Sequence, residues 1–326
     1  MKGMHHIVIQ NKRIRFAFSI KRNITIIRGD SATGKTTLFS MIEEYGNLGK
    51  DSGVQIQCDK ACVALSGKYW QETLENVHDS IVFVDEDSRF LKTKDFAKRI
   101  RNSNNYYVLI TRENLPALPY SVEEIYGIHC SGRYMNTRQI YNLFYKIYSE
   151  TNPGKLLVKS LITEDSQAGF TFFSQVSKTR GICCESAGGK SNILGILQEK
   201  LLDKEQKETL VIADGAAFGP EMAHISQLLR ENVNIKLYLP ESFEWLLLYA
   251  DILNKPFIRK RLEEAENYIE SEKYFSWERY FADLLMEETK DSPYPYDKSN
   301  LKDFYLQDKV VQKVLEAMVP ICLAKE

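Results

Sequence analysis

Two short stretches of the chain combine residue types that handle phosphate and a divalent cation. The first runs Gly29-Asp30-Ser31-Ala32-Thr33-Gly34-Lys35-Thr36, with Thr37 following, and satisfies G-x-x-x-x-G-K-[ST] at every fixed position. Two glycines let the backbone fold back so that successive N–H groups point at phosphate oxygens. Lys35 can reach the β- and γ-phosphates, and the Thr36 hydroxyl can ligate Mg²⁺. The second stretch is Asp85-Glu86, directly after the apolar run Ile81–Val84. An acid at the end of a buried strand is placed to reach a metal held by Thr36. The next acid, Glu86, is then placed to polarise an attacking water. The expected ligands are ATP and Mg²⁺.

This chemistry requires particular elements. Residues 24–28 read as a buried strand, and an amphipathic helix is expected from Lys35, its positive end facing the bound anion. "HHIVIQ" and "RIRFAFSI", split by "NK", read as a β-hairpin ahead of that strand. "NNYYVLITREN" reads as a further buried strand with a polar end, where Thr111 or Arg112 stands either as a γ-phosphate sensor or as a strand cap. Residues 1–150 thus resemble a compact P-loop ATPase. "LSGKYW" matches the signature loop of ABC-type ATPases only by chance, because too few residues separate it from the glycine-rich loop for the usual helical insertion. A nucleotide kinase is the alternative, but the Asp85-Glu86 pair favours hydrolysis. Where such ATPases complete the γ-phosphate site with a neighbour's arginine, Arg89, Arg112 and Arg133 are the candidates, and self-association is expected.

A boundary is expected at "SETNPGK", residues 149–155, between a tyrosine-rich pattern read as helical and a new strand. Residues 155–250 then alternate strand and helix, with acids closing the strands at Glu164-Asp165 and Asp214. That pattern predicts a parallel α/β sheet whose carboxyl edge builds a site. "AGGKSN" is not a second phosphate loop, because Cys184 stands where the first glycine should be; a glycine turn at a helix start is expected instead. Residues 251–326 read as a helical extension that packs on the second domain or on a partner. Its aromatic stripe Tyr274, Phe275, Trp277, Tyr280 and Phe281 reads as core or interface.

Four segments, "LITEDSQAGFTFF", "CCESAGGKSNILGILQ", "VIADGAAFG" and "LPESFEWLL", resemble in order the strand–turn–helix pieces of Toprim-like domains. The arrangement of ATPase followed by Toprim-like domain is similar to that of the overcoming-lysogenization-defect nucleases and of Toprim-like phage-defence effectors that accompany ATPases. The resemblance implies a Mg²⁺-dependent nuclease module acting on nucleic acid. It implies Glu164 as acid/base or metal ligand, Asp214 as the first metal-binding acid, and Glu244 as a further catalytic acid. One departure counts against this: Ala216 replaces the second Asp of D-x-D, leaving Asp165 or Glu221 to compensate, or else an inactive module that binds a partner or nucleic acid.

Composition sets outer limits. With 44% hydrophobic and 27% charged residues among 326, the chain has the make-up of a soluble protein of two domains. No apolar run approaches the ~20 residues that span a bilayer, and "MKGMHHIVIQ" does not read as a secretory signal. The scattered cysteines, including Cys58-x₃-Cys62 and Cys183-Cys184, predict reduced thiols rather than zinc, and a cytoplasmic location. Residues 1–152 hold 21 Lys+Arg against 16 Asp+Glu. That bias suits solvated strand edges as well as a nucleic-acid contact.

Overall fold

The computed structural model describes residues 1–29, 34–130, 139–148, 158–202, 207–318 and 323. The linker expected at 149–155, the loop residues Asp30, Ser31, Ala32 and Thr33, and Arg133 lie outside the described residues. The chain forms two compact units, one comprising residues 1–149 with 264–276, the other 150–263 with 277–326. The expected helical extension is therefore shared, its residues 264–276 belonging to the first unit.

The first unit carries β1 (His5–Gln10), β2 (Ile14–Ile20), β3 (Ile24–Arg28), α1 (Lys35–Leu48), β4 (Gln55–Gln57), β5 (Ala61–Ala64), α2 (Trp70–Glu75), β6 (Ser80–Val84), α3 (Lys94–Ile100), β7 (Tyr106–Ile110), β8 (Ile125–Cys130) and β9 (Ile140–Lys146). The strands make one nine-stranded sheet in the order β4-β1-β2-β9-β8-β3-β7-β6-β5. From β8 to β5 all pairings are parallel, so the carboxyl ends of β3, β6 and β7 share one edge. β3, β6 and β7 are buried along their whole length, as continuous apolar runs require when both faces of a sheet are covered. Ile81 and Phe83 pack with Leu38, Phe39, Met41 and Ile42 of α1. Val82 and Val84 face the opposite way and pack with Trp70 and Leu74 of α2 and Phe96 of α3.

The expected hairpin is β1–β2, in antiparallel register. The tyrosine-rich stretch before the linker is a strand rather than a helix. β9 runs antiparallel to β8 and parallel to β2. Phe144 stacks on Phe18 at a ring separation of 4.2 Å and meets Phe16 edge-on at 6.5 Å. Cross-strand aromatic packing of this kind favours a strand over a helix in a segment this rich in aromatic residues.

The second unit carries β10 (Ser160–Thr163), α4 (Ala168–Lys178), β11 (Cys183–Ser186), α5 (Lys190–Leu202), β12 (Thr209–Ile212), α6 (Met222–Glu231), β13 (Ile235–Tyr238), α7 (Phe243–Tyr249), α8 (Pro256–Glu263), α9 (Trp277–Thr289) and α10 (Asp308–Ala317). Its sheet, β11-β10-β12-β13, is wholly parallel. The chain steps from β10 outward to β11, then returns to the other side of β10 for β12. That reversal opens a crevice at the carboxyl ends of β10 and β12, where α/β sheets bind ligands. The aromatic stripe is buried, as expected: Tyr274 and Phe275 in the first unit, Trp277, Tyr280 and Phe281 in the second. Among the described residues, no helix is long and apolar enough to cross a membrane.

Candidate functional site

Each unit places acids at the carboxyl edge of its parallel strands. In the first, Gly29 follows β3 with φ 148° and Gly34 opens α1 with φ 91°, conformations that side chains rarely adopt. A Cβ on Gly34 would lie 3.5 Å from the Phe16 ring, so β2 closes over the start of the helix. Lys35 is buried and its Nζ donates to the Gly29 carbonyl at 2.5 Å. The lysine therefore folds back across the mouth of the glycine-rich loop. Thr36 is exposed and Thr37 half-buried.

Asp85 follows β6, and its side chain is buried with Oδ1 lacking any hydrogen-bond partner. Burial pushes its carboxyl above the usual range; the backbone N–H of Glu86 and the charge of Lys35 pull the other way, while Asp87 and Glu86 push it further up. An orphaned buried carboxylate oxygen facing a lysine suits a hard cation. Glu86 is half-buried and paired with Arg112 at 3.1 Å. Thr111 is buried after β7; its N–H donates to the Ile27 carbonyl and its hydroxyl accepts from the Glu113 N–H at 3.0 Å. Arg89 is exposed.

In the second unit Glu164 follows β10 and Asp214 lies just beyond β12, both half-buried. The Asp214 N–H donates to Glu164 Oε2 at 2.9 Å, tying the two strand ends together. Gly215 makes the next contact possible: its N–H donates to the Pro240 carbonyl at 2.6 Å, and a Cβ there would sit 2.8 Å from the Leu239 carbonyl oxygen. This close approach brings in α7, whose start is capped by the Ser242 hydroxyl accepting from the Trp245 N–H. Glu244 in its first turn is 1% exposed. Glu164, Asp214, Glu244 and Lys298 together line one cleft of about 400 Å³.

Charges in the cleft are strongly coupled. Burial drives Glu164 up to about 7, with help from the charges of Glu278 and Asp165 and against the Asp214 N–H and Lys190. Burial also raises Asp214 well above its usual range, reinforced by Glu278, Glu164 and Glu244. Glu244 Oε1 accepts from the Tyr296 hydroxyl at 2.8 Å, while its Oε2 has no hydrogen-bond partner. Lys298 Nζ lies 3.1 Å from Glu278 and 3.8 Å from Glu244. Lys190, at the start of α5, donates to the Ala217 carbonyl at 2.6 Å, and burial lowers its ammonium.

Glu164, Asp214 and Glu244, expected from the sequence, thus share one cleft. The two proposed compensators for Ala216 differ. Asp165 caps α4, accepting from the N–H groups of Gln167, Gly169 and Phe170. Glu221 is half-buried and acts on the site through the charge of Lys190. Ala216 itself is buried, 3% exposed, and donates its N–H to the Glu241 carbonyl. Sequence reasoning missed Glu278, Tyr296, Lys298 and the role of Lys190. Only Lys190, beside a glycine turn, carried a visible signal. Among the described residues, no three His, Cys, Asp or Glu side chains stand close enough to hold a metal ion. As arranged, the acids of the second cleft do not fit a metal; the positive charges they face are Lys298 and Lys190. No family model matches this chain, and no curated protein matches it.

Proposed function

We propose that the chain binds and hydrolyses ATP with Mg²⁺ in its first unit, and that a Toprim-like second unit acts on nucleic acid under control of the nucleotide. The observation that carries the first half is the pairing of a complete glycine-rich loop motif after β3 with the buried, unpartnered Asp85 Oδ1 after β6. In this reading residues 29–37 cradle the phosphates, and Lys35 leaves the Gly29 carbonyl to meet them. Thr36 and Asp85 hold the Mg²⁺, which neutralises charge on the β- and γ-phosphates. Glu86 accepts a proton from the attacking water, and Arg112 keeps its carboxylate oriented until then. The test is ATP binding and phosphate release by the full chain in Mg²⁺. Absence of nucleotide binding at millimolar ATP overturns the reading.

The second half rests on resemblance and on three acids sharing a cleft at a topological switch point. A specific observation favours a second reading, in which the Toprim-like unit does not cleave and the chain is an ATP-driven switch that binds a partner or nucleic acid. That observation is the pair of lysines already facing the acids, together with Ala216 at the D-x-D position. A nuclease assay on single- and double-stranded DNA and RNA, with Mg²⁺ or Mn²⁺ and with or without ATP, separates the two.

A further inference from the structure

The acids of the second cleft are not open to solvent cations on equal terms, because one lysine is built into them. Lys298 belongs to an irregular stretch between α9 and α10, yet it is held at several points. Its carbonyl accepts from the Ala168 N–H at the start of α4. Two residues earlier, the Tyr296 hydroxyl donates to Glu244 and the Tyr296 N–H donates to the Thr289 hydroxyl. Tyr294 stacks on Phe304 at 3.7 Å. The ammonium is thereby delivered to Glu278 at 3.1 Å and Glu244 at 3.8 Å, and it lines the cleft with Glu164 and Asp214. Opposite it, Glu244 is 1% exposed with Oε2 lacking a hydrogen-bond partner. A buried carboxylate oxygen left unpaired is costly unless a cation or donor reaches it.

We propose that Lys298 is a tethered cation which occupies the charge position of a metal ion in this cleft, so that a divalent cation binds to Glu164, Asp214 and Glu244 only in competition with the Lys298 ammonium. The inference rests on the reading of the cleft as a cation site and names what regulates it. It also accounts for how the chain tolerates Ala216. With a fixed positive charge supplied from Lys298, one acidic ligand fewer is needed to balance the site. Lys298 is a positioning residue for the acids. It differs from a surface lysine in being anchored through its own backbone and through Tyr296.

The competition predicts an unusual direction of change, since deleting a residue improves binding. Mn²⁺ is titrated into the nucleotide-free full chain and followed by calorimetry and by the thermal midpoint. Lys298→Met, which keeps the length and removes the charge, is expected to bind Mn²⁺ at least tenfold more tightly than wild type. Its thermal midpoint should rise with Mn²⁺ by more than the wild-type midpoint does. Lys298→Arg keeps the charge and should match wild type within about threefold. Adding Asp214→Asn to Lys298→Met should return the affinity to the wild-type level or below, which assigns the signal to this cleft rather than to the first unit. Equal Mn²⁺ affinity in wild type and Lys298→Met overturns the role of Lys298 while leaving a cation site standing. Absence of Mn²⁺ binding in every variant, each still folded by circular dichroism, overturns both the site and the inference.

Discussion

Asp85 and Glu244 are both buried acids at the carboxyl edge of a parallel sheet, and each has one oxygen without a hydrogen-bond partner. Their surroundings differ. The cation nearest Asp85 in sequence logic, Lys35, donates to a main-chain carbonyl of its own loop, so the site must rearrange around an incoming anion and metal. Glu244 is instead met by Lys298 and Tyr296, which are anchored to α4 and α9. The first arrangement leaves charge uncompensated until a ligand arrives; the second compensates it within the fold. A strand-end acid therefore signals a site in both units, but only its partners decide whether that site awaits a ligand.

The sharpest way to break the comparison lies in the first unit. Lys35→Ala removes the one lysine of the glycine-rich loop, and the expected loss of ATP affinity is at least about 10³-fold, or roughly 4 kcal/mol. Calorimetric titration of ATP·Mg²⁺ measures it. An unchanged affinity would mean that the loop does not cradle phosphate. Glu86→Gln should come next, lowering hydrolysis by about 10²–10³-fold with ATP affinity kept within a few-fold, because the amide preserves shape but accepts no proton. Phosphate release under single-turnover conditions separates chemistry from binding. Wild-type turnover by this variant would remove Glu86 from the mechanism.

How far the sequence shows this contrast depends on how local the determinants are. The glycine-rich loop, the strand ahead of it and Asp85 were legible because their types and spacing lie within short windows. Glu164, Asp214 and Glu244 were legible as strand-end or helix-start acids. Lys298 and Glu278 were not: they lie far along the chain from β10 and β12, in or beside a segment with no periodicity, and their role exists only once Tyr296 and the start of α4 have packed. The β9 strand was misread for a related reason. Its tyrosines suit several patterns, and the choice falls to Phe16 and Phe18 on a strand more than 120 residues earlier in the sequence.

The geometry that gathers the second cleft can be loosened without touching a charge. Gly215→Ala places a Cβ 2.8 Å from the Leu239 carbonyl oxygen and 3.0 Å from that of Pro240. Backbone atoms cannot yield as a side chain tip can, so the turn carrying Asp214 must move away from α7. The expected cost is about 1–3 kcal/mol, read as loss of amide protection in β12 and β13 with β3 and β7 unaffected. An alanine variant with wild-type protection throughout would show that the close approach is not needed to bring Asp214 to Glu244.

The smallest expected effect tests whether internal compensation by itself marks a functional site. The first unit has its own compensated acid, Glu124, 1% exposed, 3.7 Å from Arg22 Nε and within 3.3 Å of the Thr25 hydroxyl. Lys21 and Lys146 also face it electrostatically, yet burial outweighs all of these and lifts its carboxyl from 4.5 to about 7. The folded state therefore holds this proton over a pH range in which the unfolded chain has released it. The sign follows by linkage: the stabilisation is present below pH 4.5 and is lost as pH rises towards 7, by on the order of 1–3 kcal/mol. Glu124→Gln cannot ionise and should lack that slope. Hydrogen exchange of the β3 and β8 amides, corrected for intrinsic rates, compares the two proteins between pH 4.5 and 7. A wild-type protection that falls relative to Glu124→Gln, with nucleotide affinity equal in both, makes Glu124 a purely structural counterpart of Glu244. Parallel profiles would mean that Arg22 keeps Glu124 ionised throughout, an ion pair formed by the fold alone, and compensation by a neighbouring cation would then be no guide to which buried acids take a ligand.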